Sequence, residues 1–328
     1  MGGRVRPSIA AETLQVRGEP RRGVMSFELH HRNHLEKQLR AIVRRQLRRA
    51  AVALRPGDEA TFRNAVHESR KSVKKVRAVT AFLREAGAKI PHKDRARLKS
   101  AADGLSRLRD SAAIVDALDR LRRTYPKQLP EHTYAILRRG LVVARDRQEE
   151  QALRSDVVPD VAARLKKATK AAKAWTMASI DWSEAISVLT ASYRRSRKAM
   201  DHARSTGQSA AVHRWRKALK TLWYQLRLAK PLAKGMDALV DNMRRLEKDL
   251  GDDHNLVILA ATLRACRELR TMRAQIHQID RLAARTRQPL RRRAFALGRR
   301  LHRRKPREFA RWLRTSSTHK MSRNTAAA

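Results

Sequence analysis

Two ten-residue segments of the chain carry the same histidine and the same cations at the same spacing. They read AVHESRKSVK at 65–74 and AVHRWRKALK at 211–220, and at an offset of 146 they share six identities in ten positions. The polar pairs are His67 and His213, Arg70 and Arg216, Lys71 and Lys217, and Lys74 and Lys220. Guanidinium, ammonium and imidazole groups all donate hydrogen bonds to oxyanions, so the repeated pattern indicates an anion-binding surface.

A helical projection places these cations on one face of each segment. Residues three and four apart are neighbours on a helix, so the polar residues form a stripe, flanked by Lys75 and Arg77 in the first copy and extended by Tyr224 and Arg227 in the second. The opposite side predicts a core-facing seam, made of Val66, Ser69, Val73, Val76 and Leu83 in one copy and Val212, Trp215, Leu219, Leu222 and Leu226 in the other. We therefore expect the cations to face away from the core.

The stripe has two interpretations. A solvated helix face is the ordinary one, but it would normally include glutamates, because adjacent like charges cost a few tenths of a kcal/mol per pair. A ligand that supplies negative charge removes this cost. Each histidine likewise has two interpretations. Its ring nitrogens either form hydrogen bonds with backbone groups near the start of the helix or contact a phosphate ligand. Neither histidine has a metal-ligating neighbour on the stripe, so we predict no metal site; HHRNH at 30–34 suits adventitious metal only.

Composition fixes the sign of the partner's charge. The 328 residues carry a formal net charge of +45, and such a surplus repels itself unless a polyanion is nearby. A hydrophobic content of 42% is enough to bury a core. The single cysteine, Cys266, excludes a disulfide framework and favours a cytoplasmic location, and we find no signal peptide, no membrane span and no cofactor motif.

Apolar periodicity predicts an all-α fold with an internal duplication. Three successive helices recur in order at offsets of 145 to 150, and the opening pair aligns Arg44, Arg45 and Arg48 with Arg194, Arg195 and Lys198. Asp181 or Ser183 is the expected N-cap of the second opening helix. We predict two pseudo-symmetric antiparallel bundles of about four helices each, at 25–175 and 180–315. A mobile basic arm at 1–24 and a disordered tail at 316–328 are expected outside them.

The choice of polyanion rests on aromatic content. Proteins that hold single-stranded nucleic acid usually present aromatic side chains on which bases stack, whereas aromatic residues are only 4% of this chain. Arginine and lysine without stacking partners suit a polymer made of phosphate alone. Architectural proteins that read DNA or RNA backbones also need little stacking, so this alternative stays open.

The motifs resemble, in order, those of the CHAD domain, the conserved-histidine α-helical domain. The resemblance covers residues 25–315 and rests on AVHESRKSVKKVRAVTAFL, LSRLRDSAAIVDAL, AVHRWRKALKTLWYQL and LEKDLGDDHNLVIL. It implies two helical bundles whose histidines and cations line a shared surface that binds inorganic polyphosphate. The residues carried over are His67, Arg70, Lys71, Lys74, Lys75, Arg77, His213, Arg216, Lys217 and Lys220, with the six basic residues of the opening helices.

The resulting hypothesis is non-enzymatic polyphosphate binding in the cytoplasm, in some settings on polyphosphate granules. The second copy departs from the family pattern at Thr221, Trp223 and the DDHN segment, so fewer ligand contacts are expected from the later helices of that half. We find no nucleophile–base pair or phosphate-cradling glycine loop that would favour an enzyme. If both histidines bind as cations, affinity should weaken above about pH 7.

Overall fold

The computed structural model of the chain describes residues 27–54, 59–107 and 110–318. These residues form eleven α-helices and no strand, with one isolated antiparallel bridge between Lys89 and Thr176. The helices are α1 Leu35–Ala53, α2 Glu59–Glu85, α3 His92–Arg107, α4 Asp110–Thr124, α5 Glu131–Arg154, α6 Val157–Ala171, α7 Trp182–Thr206, α8 Ser209–Ala229, α9 Met236–Ala265, α10 Arg273–Leu301 and α11 Pro306–Thr318. The predicted all-α class is confirmed, although the helices outnumber two bundles of about four. The duplication and the bundle boundaries stay predictions, and the predicted arm at 1–24 lies outside the described residues.

Local signals fix both ends of α7. The side chain of Asp181 accepts a hydrogen bond from the Glu184 backbone N–H at 2.9 Å, and the Glu184 carboxylate accepts one from the Asp181 N–H at 2.8 Å. This reciprocal capping box, which confirms the predicted cap at Asp181, satisfies two otherwise unpaired donors. The helix ends at Gly207, whose φ of 64° is left-handed and carries no Cβ penalty for glycine. The chain thus turns at once into α8.

The hydrophobic core has two parts. The larger is built mainly from α1, α2, α3, α6, α7 and α8, with the first half of α9, and it contains the predicted apolar seams of α2 and α8. The smaller is built from α4, α5, the second half of α9 and the first half of α10. Each part therefore combines helices from both predicted halves of the chain.

The two motif helices, α2 and α8, pack against each other within the larger core. All ten predicted seam residues are buried, and among them Trp215 is fully enclosed. At the contact, the buried Gln225 side chain donates a hydrogen bond to the Ala78 carbonyl oxygen at 3.2 Å. This bond joins the two helices at their contact. The helices that carry the recurring segments therefore pack against each other.

The segment after each motif helix also aligns in the predicted repeat. At the offset of 145, the 30-residue helix α9 aligns with α3 and α4 taken together. Residues 108–109, between α3 and α4, lie outside the described part of the chain.

Residues 316–318, which we predicted to belong to a disordered tail, are helical. The tail was expected to start at 316, but α11 continues to Thr318 and Ser317 is buried. The Ser317 hydroxyl accepts a hydrogen bond from Trp182 Nε1 at 2.7 Å, and its carbonyl oxygen accepts one from Arg32. These partners are distant in sequence and hold the last turn of the helix. Residues 319–328 lie outside the described part of the chain.

Candidate anion-binding groove

A groove of about 820 Å³ lies where the two motif helices meet α4 and α9. Lys74 of α2 lines it together with Arg216 and Lys220 of α8, so the groove draws cations from both recurring segments. The remaining cations that line it come from α9 and are Arg244, Arg245 and Lys248. Three carboxylates, Asp241, Glu247 and Asp252, line the same groove. Among the described residues, six cations against three carboxylates leave an excess of positive charge along its walls.

Glu247 is the carboxylate that holds the motif cations of α8. Its Oε1 lies 2.7 Å from Lys220 Nζ and 3.2 Å from Arg216 Nη2, and all three side chains are about one-fifth exposed. Partial burial makes these ion pairs less screened than surface pairs. The carboxylate therefore occupies the position at which an external anion would meet Arg216 and Lys220.

The aligned arginine of α2 has a different partner. Arg70 Nη1 donates a hydrogen bond to the Leu105 carbonyl oxygen of α3 at 2.5 Å. Arg216, its counterpart in α8, pairs with the carboxylate of Glu247. The two motif arginines therefore contact different groups.

Lys75 does not lie beside the exposed stripe, as we expected from the sequence. It is only 8% exposed, and its Nζ lies 5.2 Å from the centre of the Phe27 ring, close to Arg227, whose guanidinium also lies over that ring. Burial, with Arg227 as the largest charged neighbour, lowers the pKa of Lys75 to about 8. The reason is tertiary: the segment before α1 crosses α8 and places an aromatic ring on this face, where the Leu29 N–H donates to the Leu228 carbonyl oxygen at 2.8 Å.

The same crossing segment buries Tyr224, which the helical projection had assigned to the cation face. Its ring meets Phe27 edge-on at a centroid separation of 6.1 Å, and the residue is 7% exposed. Arg227 lies over the rings of Phe27, Tyr224 and Trp223, at 5.0 Å from the centre of Trp223. The end of α8 is therefore an aromatic cluster around one guanidinium rather than an open basic face.

His213 lies in a different cavity, of about 220 Å³, against His254 of α9. The two rings are 4.3 Å apart between centroids and tilted by 32°. Burial, together with Lys217 and Arg216, lowers the pKa of His213, and burial followed by the charge of His213 lowers the pKa of His254 to about 4. Both imidazoles are thus held neutral at pH 7 in the ligand-free protein. His254 lies within the DDHN segment, from which we had expected few contacts.

The floor of that cavity is held by a buried carboxylate. Asp253, 2% exposed, accepts hydrogen bonds from Arg287 Nε at 3.0 Å and from Arg291 Nε at 2.8 Å. Both arginines also donate to the hydroxyl of Ser209, at the start of α8. This network couples α8, α9 and α10 and sets the position of His213.

The outer face of α2 carries His67, Lys71 and Arg77, all of which are exposed as predicted. We expected almost no acid there, but Glu68 lies 3.2 Å from Lys71 Nζ and 3.2 Å from Arg49 Nη2 of α1. In the second copy Lys217 is also exposed. None of these four predicted site residues lines the groove. The predicted residues that do line it are Lys74, Arg216 and Lys220.

The basic residues of the opening helices lie away from the groove. Arg48, Arg194, Arg195 and Lys198 are exposed and Arg44 and Arg45 are half-buried, and none of them lines it. Arg195 pairs with Glu85 at 2.8 Å. The reason is the packing order, since α1 packs on α2 and α7 on α8, whereas the groove is formed by α2, α4, α8 and α9.

The cations of α9 were missed in the sequence. Arg244, Arg245 and Lys248 follow Asp241 at spacings of three, four and seven residues, which places all four on one face of α9. That spacing was a usable signal, but the acidic residues interspersed in the segment masked it. Across the described residues, no group of three or more histidine, cysteine or acidic side chains is arranged to hold a metal ion, and no helix is long and apolar enough to cross a membrane.

Comparisons with known proteins agree with this architecture. The profile of the CHAD domain matches residues 39–264. The fold is similar to the crystal structure of the CHAD domain from the plant Ricinus communis, with a TM-score of 0.63 and 18% sequence identity over 85% of this chain and 94% of that one. Among curated proteins no match is found. Because the profile spans more than half of the sequence, the chain belongs to the CHAD domain family.

Proposed function

We propose that this protein binds inorganic polyphosphate, without catalysis, in the groove between α8 and α9. The observation that carries the proposal is that Lys74 of one recurring segment and Arg216 and Lys220 of the other line one groove. Two segments separated by 146 positions supply cations to the same place, which suits a ligand that needs many charges at once. The resemblance to polyphosphate-binding CHAD domains, drawn from the motifs, supports the same ligand.

Binding would be multivalent. Each guanidinium or ammonium group makes a charge-assisted hydrogen bond to a phosphate oxygen, and release of the polymer's counterions supplies much of the free energy. With about six contacts, and taking the coefficient of about 0.7 per contact known for single strands, log Kd should change by about 4 per tenfold change in salt.

The groove is poorly suited to nucleobases. Trp223 is the only aromatic residue among those that line it. Its indole N–H donates to the Val240 carbonyl oxygen at 3.1 Å, and Arg227 covers its ring. A base would have to displace that guanidinium in order to stack. A polymer of phosphate alone needs no such platform.

The test is a binding titration of labelled polyphosphate against a pair of double variants. We expect the double variant Lys74→Gln, Lys220→Gln to bind polyphosphate more weakly. The slope of log Kd against log salt concentration should fall by about 1.4, because two contacts are lost at about 0.7 each. The matched control removes two exposed lysines of α3, Lys93→Gln with Lys99→Gln, which lower the net charge equally but lie outside the groove. Equal losses in both variants would overturn the groove assignment.

Two further arms test the ligand and the absence of catalysis. Unlabelled polyphosphate should displace the probe far better than duplex DNA at equal phosphate content; equal displacement would indicate generic polyanion binding. Incubation with polyphosphate or a nucleoside triphosphate should release no phosphate, and steady release would contradict a purely binding role. In cells, we expect a fluorescent fusion to follow cytoplasmic polyphosphate granules where these form.

A further inference from the structure

Four exposed arginines share one face of α10, a helix that contains Pro289 between the second and the third of them. Arg281, Arg285, Arg292 and Arg299 lie at angular positions of about 0°, 40°, 20° and 0° when successive residues turn by about 100°. They span about 27 Å along the helix axis at a rise of about 1.5 Å per residue. We call these four residues the α10 arginine row.

The row is exposed, and within the described residues none of its members forms an ion pair. The guanidinium of Arg285 lies over the Tyr125 ring, 5.7 Å from the ring centre. Arginines on other faces of the same helix behave differently, since Arg287 and Arg291 hold the buried Asp253 and Arg293 pairs with Asp249. The ion pairs that join α10 to α9 are therefore made by arginines outside the row.

An uncompensated row of this kind favours an anionic partner. Arg281 and Arg285 are four residues apart, and such a like-charge pair destabilises a helix by a few tenths of a kcal/mol. Within the described residues, no carboxylate forms an ion pair with any member of the row. The rest of this face, Ala274, His277, Gln288 and Ala296, offers neither an aromatic platform for bases nor an apolar surface for lipid. The partner that fits is a phosphate backbone.

We propose that the α10 arginine row binds the backbone of duplex nucleic acid, at a site separate from the groove. The row residues are spaced by about 6 and about 10.5 Å along the axis. A duplex carries one phosphate charge per about 1.7 Å of its axis when both strands are counted, so a row of this length faces many phosphates. A duplex is stiff over this length, so it loses less chain entropy on binding than a flexible polymer would lose.

The proposal does not depend on the polyphosphate site. No residue of the row lines the groove, which is formed by α2, α4, α8 and α9. A polyphosphate-binding protein with this second surface could hold a duplex and a phosphate polymer at the same time. The two activities can therefore be removed one at a time.

The experiment measures binding of a labelled DNA duplex, longer than two helical turns, as a function of salt. We expect the four Arg→Gln substitutions of the row to reduce the slope of log Kd against log salt by about 3.6, at about 0.9 per phosphate contact. The matched control replaces four scattered, exposed arginines, Arg84, Arg95, Arg123 and Arg139, with glutamine. A triple variant that replaces only Arg281, Arg292 and Arg299 keeps the contact between Arg285 and Tyr125, in case that contact is needed for folding. The thermal unfolding of each variant is compared with that of the parent.

The outcomes separate this proposal from the proposed function. Loss of duplex binding in the row variant, with polyphosphate binding kept and the scattered control unaffected, supports it. Equal loss in the scattered control, or a matching loss of polyphosphate binding in the row variant, overturns it. The proposal would also be overturned if the row variant lost binding to phosphatidylserine vesicles while its duplex binding stayed unchanged. Failure of the groove variant to lose polyphosphate would instead refute the proposed function and leave the row result standing.

Discussion

Removing the carboxylate of Glu247 should strengthen polyphosphate binding. This side chain pairs with Lys220 at 2.7 Å and with Arg216 at 3.2 Å inside the groove. A phosphate bound to those cations would stand within several ångströms of the carboxylate and be repelled by it. Glu247→Gln removes the negative charge, while the amide oxygen still accepts a hydrogen bond from the same donors.

The size of the effect follows from Coulomb's law. Two unit charges about 7 Å apart interact with about 2.4 kcal/mol at an effective dielectric constant of about 20, and salt screening lowers this. A gain of about 1 to 2 kcal/mol corresponds to a roughly five- to thirtyfold lower Kd. The assay is fluorescence anisotropy with labelled polyphosphate at physiological salt.

The control comes from the same helix. Asp249→Asn also removes one carboxylate from α9, but Asp249 pairs with Arg293 at 3.3 Å and does not line the groove. We expect this variant to change the affinity much less than Glu247→Gln. If both variants bind alike, net charge alone sets affinity. If Glu247→Gln binds more weakly than the parent, the carboxylate positions the cations rather than competing with the ligand, and the reasoning is wrong.

Three further predictions concern stability and protonation. Gly298→Ala should lower the free energy of unfolding by about 1 to 3 kcal/mol in urea titrations, because a Cβ there would lie 2.8 Å from both Met200 Sδ and Trp215 Cζ2; no loss would show that these neighbours move freely. Lys75→Met should raise stability at pH 7, because the parent holds a buried lysine whose pKa falls from 10.5 to about 8. The unfolded state then binds more protons between about pH 8 and 10.5, so the parent's stability should rise with pH in that window and the variant's should not. For His213, burial lowers the pKa, so the unfolded state binds more protons and the protein should lose stability as pH falls below 6.5; His213→Gln should remove that part of the pH dependence in urea titrations.

The sequence was sufficient for features that depend on one helix. The seams of α2 and α8 follow from apolar spacing, and every predicted seam residue is buried. The cap at Asp181 follows from a carboxylate three residues before Glu184. Such features need no knowledge of what packs nearby, which is why periodicity and capping chemistry predict them.

The features that sequence reasoning missed depend on contacts between distant segments. Lys75 lies on a face that periodicity left open, and it is buried because Phe27 reaches it from a segment outside any helix. His254 meets His213 only because α8 packs on α9. A helical projection assigns directions to side chains but gives no information about the neighbours that cover them.

The pH expectation changed for the same reason. From the sequence, histidines beside phosphate were expected to titrate above their ordinary pKa. In the ligand-free protein, burial and the adjacent Lys217 and Arg216 lower the pKa of His213 instead. His213 also lines the smaller cavity and not the groove. Its titration should therefore affect the stability of the protein rather than polyphosphate binding in the groove.

The two basic surfaces differ in how the protein stabilises them without a ligand. In the groove, Glu247 neutralises Arg216 and Lys220 and keeps their side chains in place, so an incoming phosphate finds positioned donors but must oppose a carboxylate. On α10, no member of the arginine row forms an ion pair within the described residues, and the row relies on solvent and salt for screening. Affinity at the row should therefore depend mainly on counterion release. At the groove, it should depend on the charge of Glu247 as well as on the salt concentration.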